Sequence, residues 1–244
     1  MRLRGIVQTS IRLVYPPTCL TCDTMVETEG GLCGLCWRET PFIDGAVCGG
    51  CGAPLVAGPV TDDVLCDDCL RVRRPWAAGR SALVYRDNGR RLVLGLKHGD
   101  RMEVARPAAR WMARAARGMV TPDMIVVPVP LHWLRRIKRR YNQSALLGRA
   151  LAREIGLTFY ADMLERPLAT PPLDGMSPDK RHETLEQALS INGRRQGDLQ
   201  GRPVLLIDDV MTSGATLSAA TGVLQAAGSG PVSVLTLARA VKDA

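Results

Sequence analysis

At 244 residues, 46% of them hydrophobic, the chain is long enough for one domain with a proper core plus a small appendage. No run of about 18 apolar residues occurs, which excludes a membrane-spanning helix. The formal charge of +8 is unevenly placed: residues 1–74 carry seven Lys/Arg against nine Asp/Glu, and the rest carries 25 against 15. The front part is therefore a poor phosphate clamp, and the basic character belongs to the second part.

Residues 1–18 read as a short amphipathic helix, with Ile6, Val7, Ile11 and Val14 near one face and Pro16-Pro17 as the stop. Gln8, Thr9, Ser10 and Arg12 interrupt any signal-peptide core, so a cytoplasmic protein without membrane insertion is expected. Residues 19–74 are rich in glycine and turn residues and nearly free of helical periodicity, so this segment needs metal to fold.

All eight cysteines lie in that segment, as four C-x-x-C pairs: Cys19/Cys22, Cys33/Cys36, Cys48/Cys51 and Cys66/Cys69. In a reducing compartment such pairs point to metal rather than to disulfides. A two-residue gap lets both thiolates reach one tetrahedral ion, and a loop of ten or more residues returns the second pair. Cys19, Cys22, Cys33 and Cys36 are assigned to one Zn²⁺, and Cys48, Cys51, Cys66 and Cys69 to another; interleaved pairing is the alternative. Gly34, Gly49, Gly50 and Gly52 suit tight knuckle turns, which favours zinc over an iron–sulfur cluster. Four protein ligands leave no position for water, so both ions are structural.

From Trp76 the pattern changes. Residues 75–244 give an apolar strand, "SALVY", a turn, "RDNG", and helical segments around 90–97 and 103–117. The strand "MIVVPV" (Met124–Val129), a helix over Asn142 to Ile155, the strand "PVLLIDD", a helix over Ala215–Ala227 and a closing strand, "PVSVLTLAR", follow. Strands rich in Val, Ile and Leu that alternate with helices imply a parallel sheet covered on both faces.

"VLLIDDVMTSGATL", Val204 to Leu217, carries the chemistry. Asp208 and Asp209 stand at the C-terminal end of a buried strand, where open α/β sheets bind their ligands. Thr212, Ser213, Gly214, Ala215 and Thr216 then open a helix, and backbone N–H groups of such a loop converge on a phosphate. Carboxylates beside a phosphate suit sugar hydroxyls or a bridging Mg²⁺. A Walker B reading fails because the chain has no Gly-Lys dipeptide.

This stretch resembles the phosphoribosyl pyrophosphate (PRPP) motif of type I phosphoribosyltransferases. With "LGLKHGD" (Leu94–Asp100), "VPVPLHWLRRIKRRYNQSALLGRAL" (Val127–Leu151), the terminal "VSVLTLAR" and the cysteine pairs, the whole layout resembles the ComF family of competence-related proteins. The resemblance implies an α/β type I phosphoribosyltransferase fold, a parallel sheet with flanking helices, preceded by a small Cys₄ double zinc ribbon. It implies that Asp208 and Asp209 contact the ribose hydroxyls as the catalytic pair, while Thr212 to Thr216 hold the 5′-phosphate and Mg²⁺ accompanies PRPP. The expected activity is phosphoribosyl transfer to a nitrogenous acceptor, in nucleoside metabolism.

The loop after Pro128-Val129-Pro130, running to Tyr141-Asn142-Gln143, stands where related transferases bind pyrophosphate. It holds Arg135, Arg136, Lys138, Arg139 and Arg140, a density that suits a polyanion, and Lys97 matches a family lysine that neutralises pyrophosphate. The same cations suit nucleic-acid phosphate. A second expectation is therefore a DNA-uptake accessory protein that binds single-stranded DNA or a competence-machinery protein. Between Thr170 and Leu189 the sequence departs from the family pattern: Leu173, Thr184 and Leu189 stand where glutamine, asparagine and phenylalanine are common. That segment is the hood over the acceptor in related transferases.

Overall fold

The computed structural model describes residues 16–56, 63–98, 101–131, 141–167 and 188–241. The helix expected over 1–18 (but for its last three residues), the Arg135–Arg140 cluster and residues 170–187 of the hood segment lie outside them. Among the described residues, no helix is long and apolar enough to cross a membrane.

Two short helices, α1 (Gly34–Glu39) and α2 (Asp67–Arg71), follow Cys33 and Cys66 in the cysteine-rich segment, which the sequence reading had as nearly non-helical. Each is a single turn that carries the last cysteine of its quartet, too short to leave a periodic signal.

The second part runs β1 (Ala78–Val84), α3 (Asp87–His98), α4 (Ala105–Ala115), β2 (Ile125–Pro128), α5 (Gln143–Ile155), β3 (Thr158–Phe159), β4 (Leu164–Glu165), β5 (Ser190–Ile191), α6 (Gln196–Leu199), β6 (Val204–Met211), α7 (Ala215–Ala226) and β7 (Val232–Arg239). β1, β7, β6, β2 and β3 form one parallel sheet in that spatial order, and β4 and β5 a separate antiparallel pair. This is the α/β class expected from the alternating pattern.

Three boundaries move. β1 starts before Ser81, because Ala78 to Arg80 already pair with Ser233 to Leu235 of β7. The "RDNG" turn is the start of α3, entered at Asp87 with φ of 44°. The two aspartates do not end β6: Val210 and Met211 go on to pair with Ala238 and Arg239.

β6 is the middle strand. From β2 the chain winds through α5 to β3 on one side, and from β6 through α7 to β7 on the other. The carboxyl ends of β2 and β6 therefore diverge at a topological switch point, the crevice in which such sheets hold ligands. Alternate residues fill two cores. Leu205 and Ile207 pack with Leu92, Leu96, Met112, Leu147 and Leu151 of α3, α4 and α5. Val204 and Leu206 pack with Leu217, Ala220 and Leu224 of α7, in a cluster that also contains Cys48, Cys51 and Trp76.

The cysteine-rich segment covers the outer edge of β1. Phe42 bridges Leu83, the Ile43 N–H donates to the Ala82 carbonyl at 3.0 Å, and the Val84 N–H donates to Pro41 at 2.8 Å. An uncovered edge strand is a template for unwanted pairing, so this contact protects the sheet. Gly52, at φ of 68°, lies so close that a Cβ would come within 2.7 Å of the Arg80 backbone.

Candidate functional site

The carboxylate pair sits at the switch point. Asp209 is buried and its Oδ2 lies 3.1 Å from Lys97 Nζ, at the C-terminal turn of α3. Asp208 Oδ1 accepts from the Ser144 hydroxyl at 2.8 Å and from the Asp209 N–H at 2.9 Å. Ser144 is placed by the start of α5: the Asn142 side chain accepts from its N–H at 3.0 Å and donates to the Val129 carbonyl at 3.0 Å. Tyr141 in turn donates its hydroxyl to the Leu96 carbonyl at 2.7 Å, tying this loop to the residue before Lys97. Burial, and then the neighbouring Asp209 charge, push the Asp208 carboxyl up to about 7, while Ser144 and Lys97 pull it the other way.

Past Met211 the chain turns through Thr212 and Ser213, both exposed, into Gly214, which caps α7 in the left-handed region at φ of 84°. No side chain caps this helix by accepting from its first turn, apart from a long 3.4 Å contact between the Ala215 N–H and Ser213 Oγ. The first N–H groups of a twelve-residue helix thus begin six residues after Asp209, beyond the carboxyl end of β6, and unpaired N–H groups at a helix start are the kind that receive an anion. Thr212, Ser213, Gly214, Ala215 and Thr216 follow directly on β6, three residues after Asp209, which the ion pair joins to Lys97.

The cysteines gather as two quartets, Cys19, Cys22, Cys33, Cys36 and Cys48, Cys51, Cys66, Cys69, with the four sulfurs of each within 4.8 Å of one another. Zn–S bonds of about 2.3 Å in a tetrahedron put sulfurs about 3.8 Å apart. The Cys22–Cys33 and Cys51–Cys66 sulfurs are each 3.6 Å apart. The Cys33 and Cys66 N–H groups donate to the sulfurs of Cys19 and Cys48, each at 3.3 Å, which suits thiolate acceptors. The donor set fits two four-coordinate Zn²⁺ sites.

The second quartet abuts the loop. Arg74 donates through Nε to Cys69 Sγ at 3.4 Å and through Nη1 to the Ser213 carbonyl at 2.8 Å, and its guanidinium lies over the Trp76 ring. Arg239 closes β7, buried. Its Nη1 donates to the carbonyls of Met211 at 3.1 Å, Thr212 at 2.7 Å and Ala240, and its Nη2 reaches Cys51 Sγ at 3.8 Å. A Cβ on Gly214 would come within 3.0 Å of Trp76 and 3.2 Å of Arg74.

Ser144, Arg74 and Arg239 are residues that the sequence reading missed. One cue was available: an arginine that ends the otherwise uncharged run "VSVLTL" has to find buried partners.

A cavity of about 640 Å³ lies elsewhere, between the cysteine-rich segment and α4, lined among others by Trp37, Phe42, Trp111, Arg114 and Arg117. None of its lining residues belongs to the Asp208–Thr216 site.

Sequence comparison with known proteins agrees with this layout. The double zinc ribbon domain family matches residues 10–70. The DNA utilization protein YhgH of Escherichia coli (strain K12) is 30% identical over 93% of this chain and 99% of its own length. Competence protein ComFC of Bacillus subtilis (strain 168) is 28% identical over 93% of this chain and 96% of its own. Among solved structures, a glutamine PRPP amidotransferase from B. subtilis, complexed with ADP and GMP, is 17% identical over 59% of this chain and 30% of its own, at a TM-score of 0.41.

Proposed function

This chain belongs to the ComF family of competence-related proteins, and on that premise we propose that its Asp208–Thr216 site binds PRPP and serves phosphoribosyl transfer to a nitrogenous acceptor. The observation that supports this most is the carboxylate pair with Lys97 at the switch point, followed along the chain by the start of α7, which has no side-chain cap. In this reading Asp208 and Asp209 accept hydrogen bonds from the ribose hydroxyls, and Thr212 to Thr216 surround the 5′-phosphate. Lys97 faces the pyrophosphate, and the cations at 135–140 are further candidates for it on sequence grounds. Mg²⁺ would arrive with PRPP, and the two carboxylates offer oxygen donors of the kind it takes. Transfer breaks the bond between the anomeric carbon and pyrophosphate, forms one to the acceptor nitrogen, and releases the acceptor's proton. The chain's part is positioning and fixed charge.

Thermal unfolding tests the binding step, because a ligand that binds only the folded state raises its melting temperature by mass action. Zinc-replete protein is expected to melt higher with Mg²⁺-PRPP than with Mg²⁺ alone, and to release pyrophosphate when the right acceptor is added. No shift with PRPP would reject the reading.

A second reading is handling of single-stranded DNA, and the cavity beside α4 favours it. Trp37, Phe42 and Trp111 are three of only six Trp and Phe residues in the chain, and they meet there with Arg117 and with Arg114, which pairs with Asp44 at 3.3 Å. Aromatic faces with adjacent cations are how strands are held without sequence preference. Tryptophan fluorescence should then be quenched by an oligothymidylate, less at high salt, and Trp111→Leu should weaken the response. An unchanged spectrum would remove this reading.

A further inference from the structure

The Arg239 guanidinium is 4% exposed and forms no ion pair with a carboxylate among the described residues. Burying a cation without an anion is costly. Its Nη1 donates to the Met211, Thr212 and Ala240 carbonyls and its Nη2 toward Cys51, while Nε has no partner among the described residues. Arg74 repeats the arrangement from the other side, between Cys69 and the Ser213 carbonyl. Three consecutive loop carbonyls, 211 to 213, are thus held by two arginines, each also directed at a sulfur of the second quartet. Among the described residues the first quartet has no such link: the Cys36 carbonyl accepts from Thr40, just after α1, and from Asn88 of α3.

Four thiolates around Zn²⁺ leave that site with a net charge near −2, which is the anion these arginines otherwise lack. Four neutral thiols would offer only weak acceptors. We propose that metal in the Cys48/Cys51/Cys66/Cys69 site sets the shape and anion affinity of the 211–216 loop, with Arg74 and Arg239 as positioning residues between them. The part of this that concerns anions rests on the PRPP reading; the part that concerns loop order does not. Coupling of this kind is reciprocal: an anion in the loop holds metal in the second site by the same factor by which the metal tightens the anion. The first site stands outside the coupling.

Two measurements on the full-length, zinc-loaded chain test it separately. The first needs no ligand: hydrogen–deuterium exchange of 211–216 is followed while a chelator withdraws zinc. Exchange there should rise as the second ion leaves and be unaffected by loss of the first. Arg74→Gln, with zinc still bound, should raise it on its own. Arg74 is half-buried, so this variant is the safer one to fold, and Arg239→Lys serves as the second. Unchanged exchange in the zinc-free second site and in Arg74→Gln would overturn the proposal whatever the chain binds.

The second measurement follows zinc transfer to a chromogenic chelator with and without Mg²⁺-PRPP. Release of one of the two ions should slow at least about fivefold in wild type, the lower end of such couplings, and not in Arg74→Gln. Equal slowing in both would show that the arginine does not carry the effect. If PRPP binds nothing, the PRPP reading fails and the exchange experiment alone decides the coupling.

Discussion

Lys97 and Asp209 meet at 3.1 Å across two elements separated by more than a hundred residues, the end of α3 and the middle strand of the sheet. Their side chains are 21% and 11% exposed, so the pair is partly desolvated. Without the lysine, the buried Asp209 carboxylate would lose its paired cation while Asp208 stays next to it in the strand. Lys97→Met should therefore cost roughly 1–3 kcal/mol of stability in denaturant titration and weaken Mg²⁺-PRPP binding at least tenfold. Wild-type values for both would mean that the ion pair has no part in the site.

Asp208 gives the site a pH dependence with a definite sign. Its carboxyl is raised from the ordinary 3.8 to about 7, by burial first and by the Asp209 charge second. Folding thus favours the neutral acid: this stability is fully present below about pH 4 and is lost as pH rises through 7. Ligand binding runs the opposite way, because ribose hydroxyls donate to the carboxylate. PRPP affinity should rise between pH 6 and 8, and Ser144→Ala, which removes a donor to the carboxylate, should move the midpoint upward. Calorimetry at a series of pH values measures both.

Gly214→Ala places a Cβ at φ of 84°, within 3.0 Å of Trp76. A non-glycine residue in this region costs on the order of 1–3 kcal/mol. The variant should melt lower and lose phosphate-loop function, while its zinc content stays at two per chain by mass spectrometry of the native protein.

The two quartets should differ in their response to substitution. Cys51 is fully buried and faces Arg239, whereas Cys22 is exposed. Cys51→Ser should cost more in melting temperature than Cys22→Ser, because it also leaves the buried guanidinium without its anion. Full chelation should free the edge of β1 and promote association, visible by light scattering.

The elements that could be read from the sequence are those whose signal is local. The cysteine pairs, the apolar runs of β2, β6 and β7, and the Asn142 cap of α5 each lie within a few residues. "TSGAT" was legible for the same reason. The partners that shape the site are remote in the chain: Ser144 lies 64 residues from Asp208, Arg74 lies 139 from Ser213, and Arg239 lies 188 from Cys51. No periodicity or spacing encodes such contacts, since they exist only once the sheet has set its strand order. β6 was read two residues short because acids depart from the apolar pattern, yet the ladder with β7 continues past them to Met211.

The most direct test of the PRPP site is calorimetric titration of Mg²⁺-PRPP into zinc-replete protein, comparing wild type with the double variant Asp208→Asn, Asp209→Asn. Saturable binding in wild type, abolished in a variant that retains two zinc ions and its fold, is the predicted result. Absence of heat in a folded, zinc-replete wild type, or equal binding by both proteins, would contradict it.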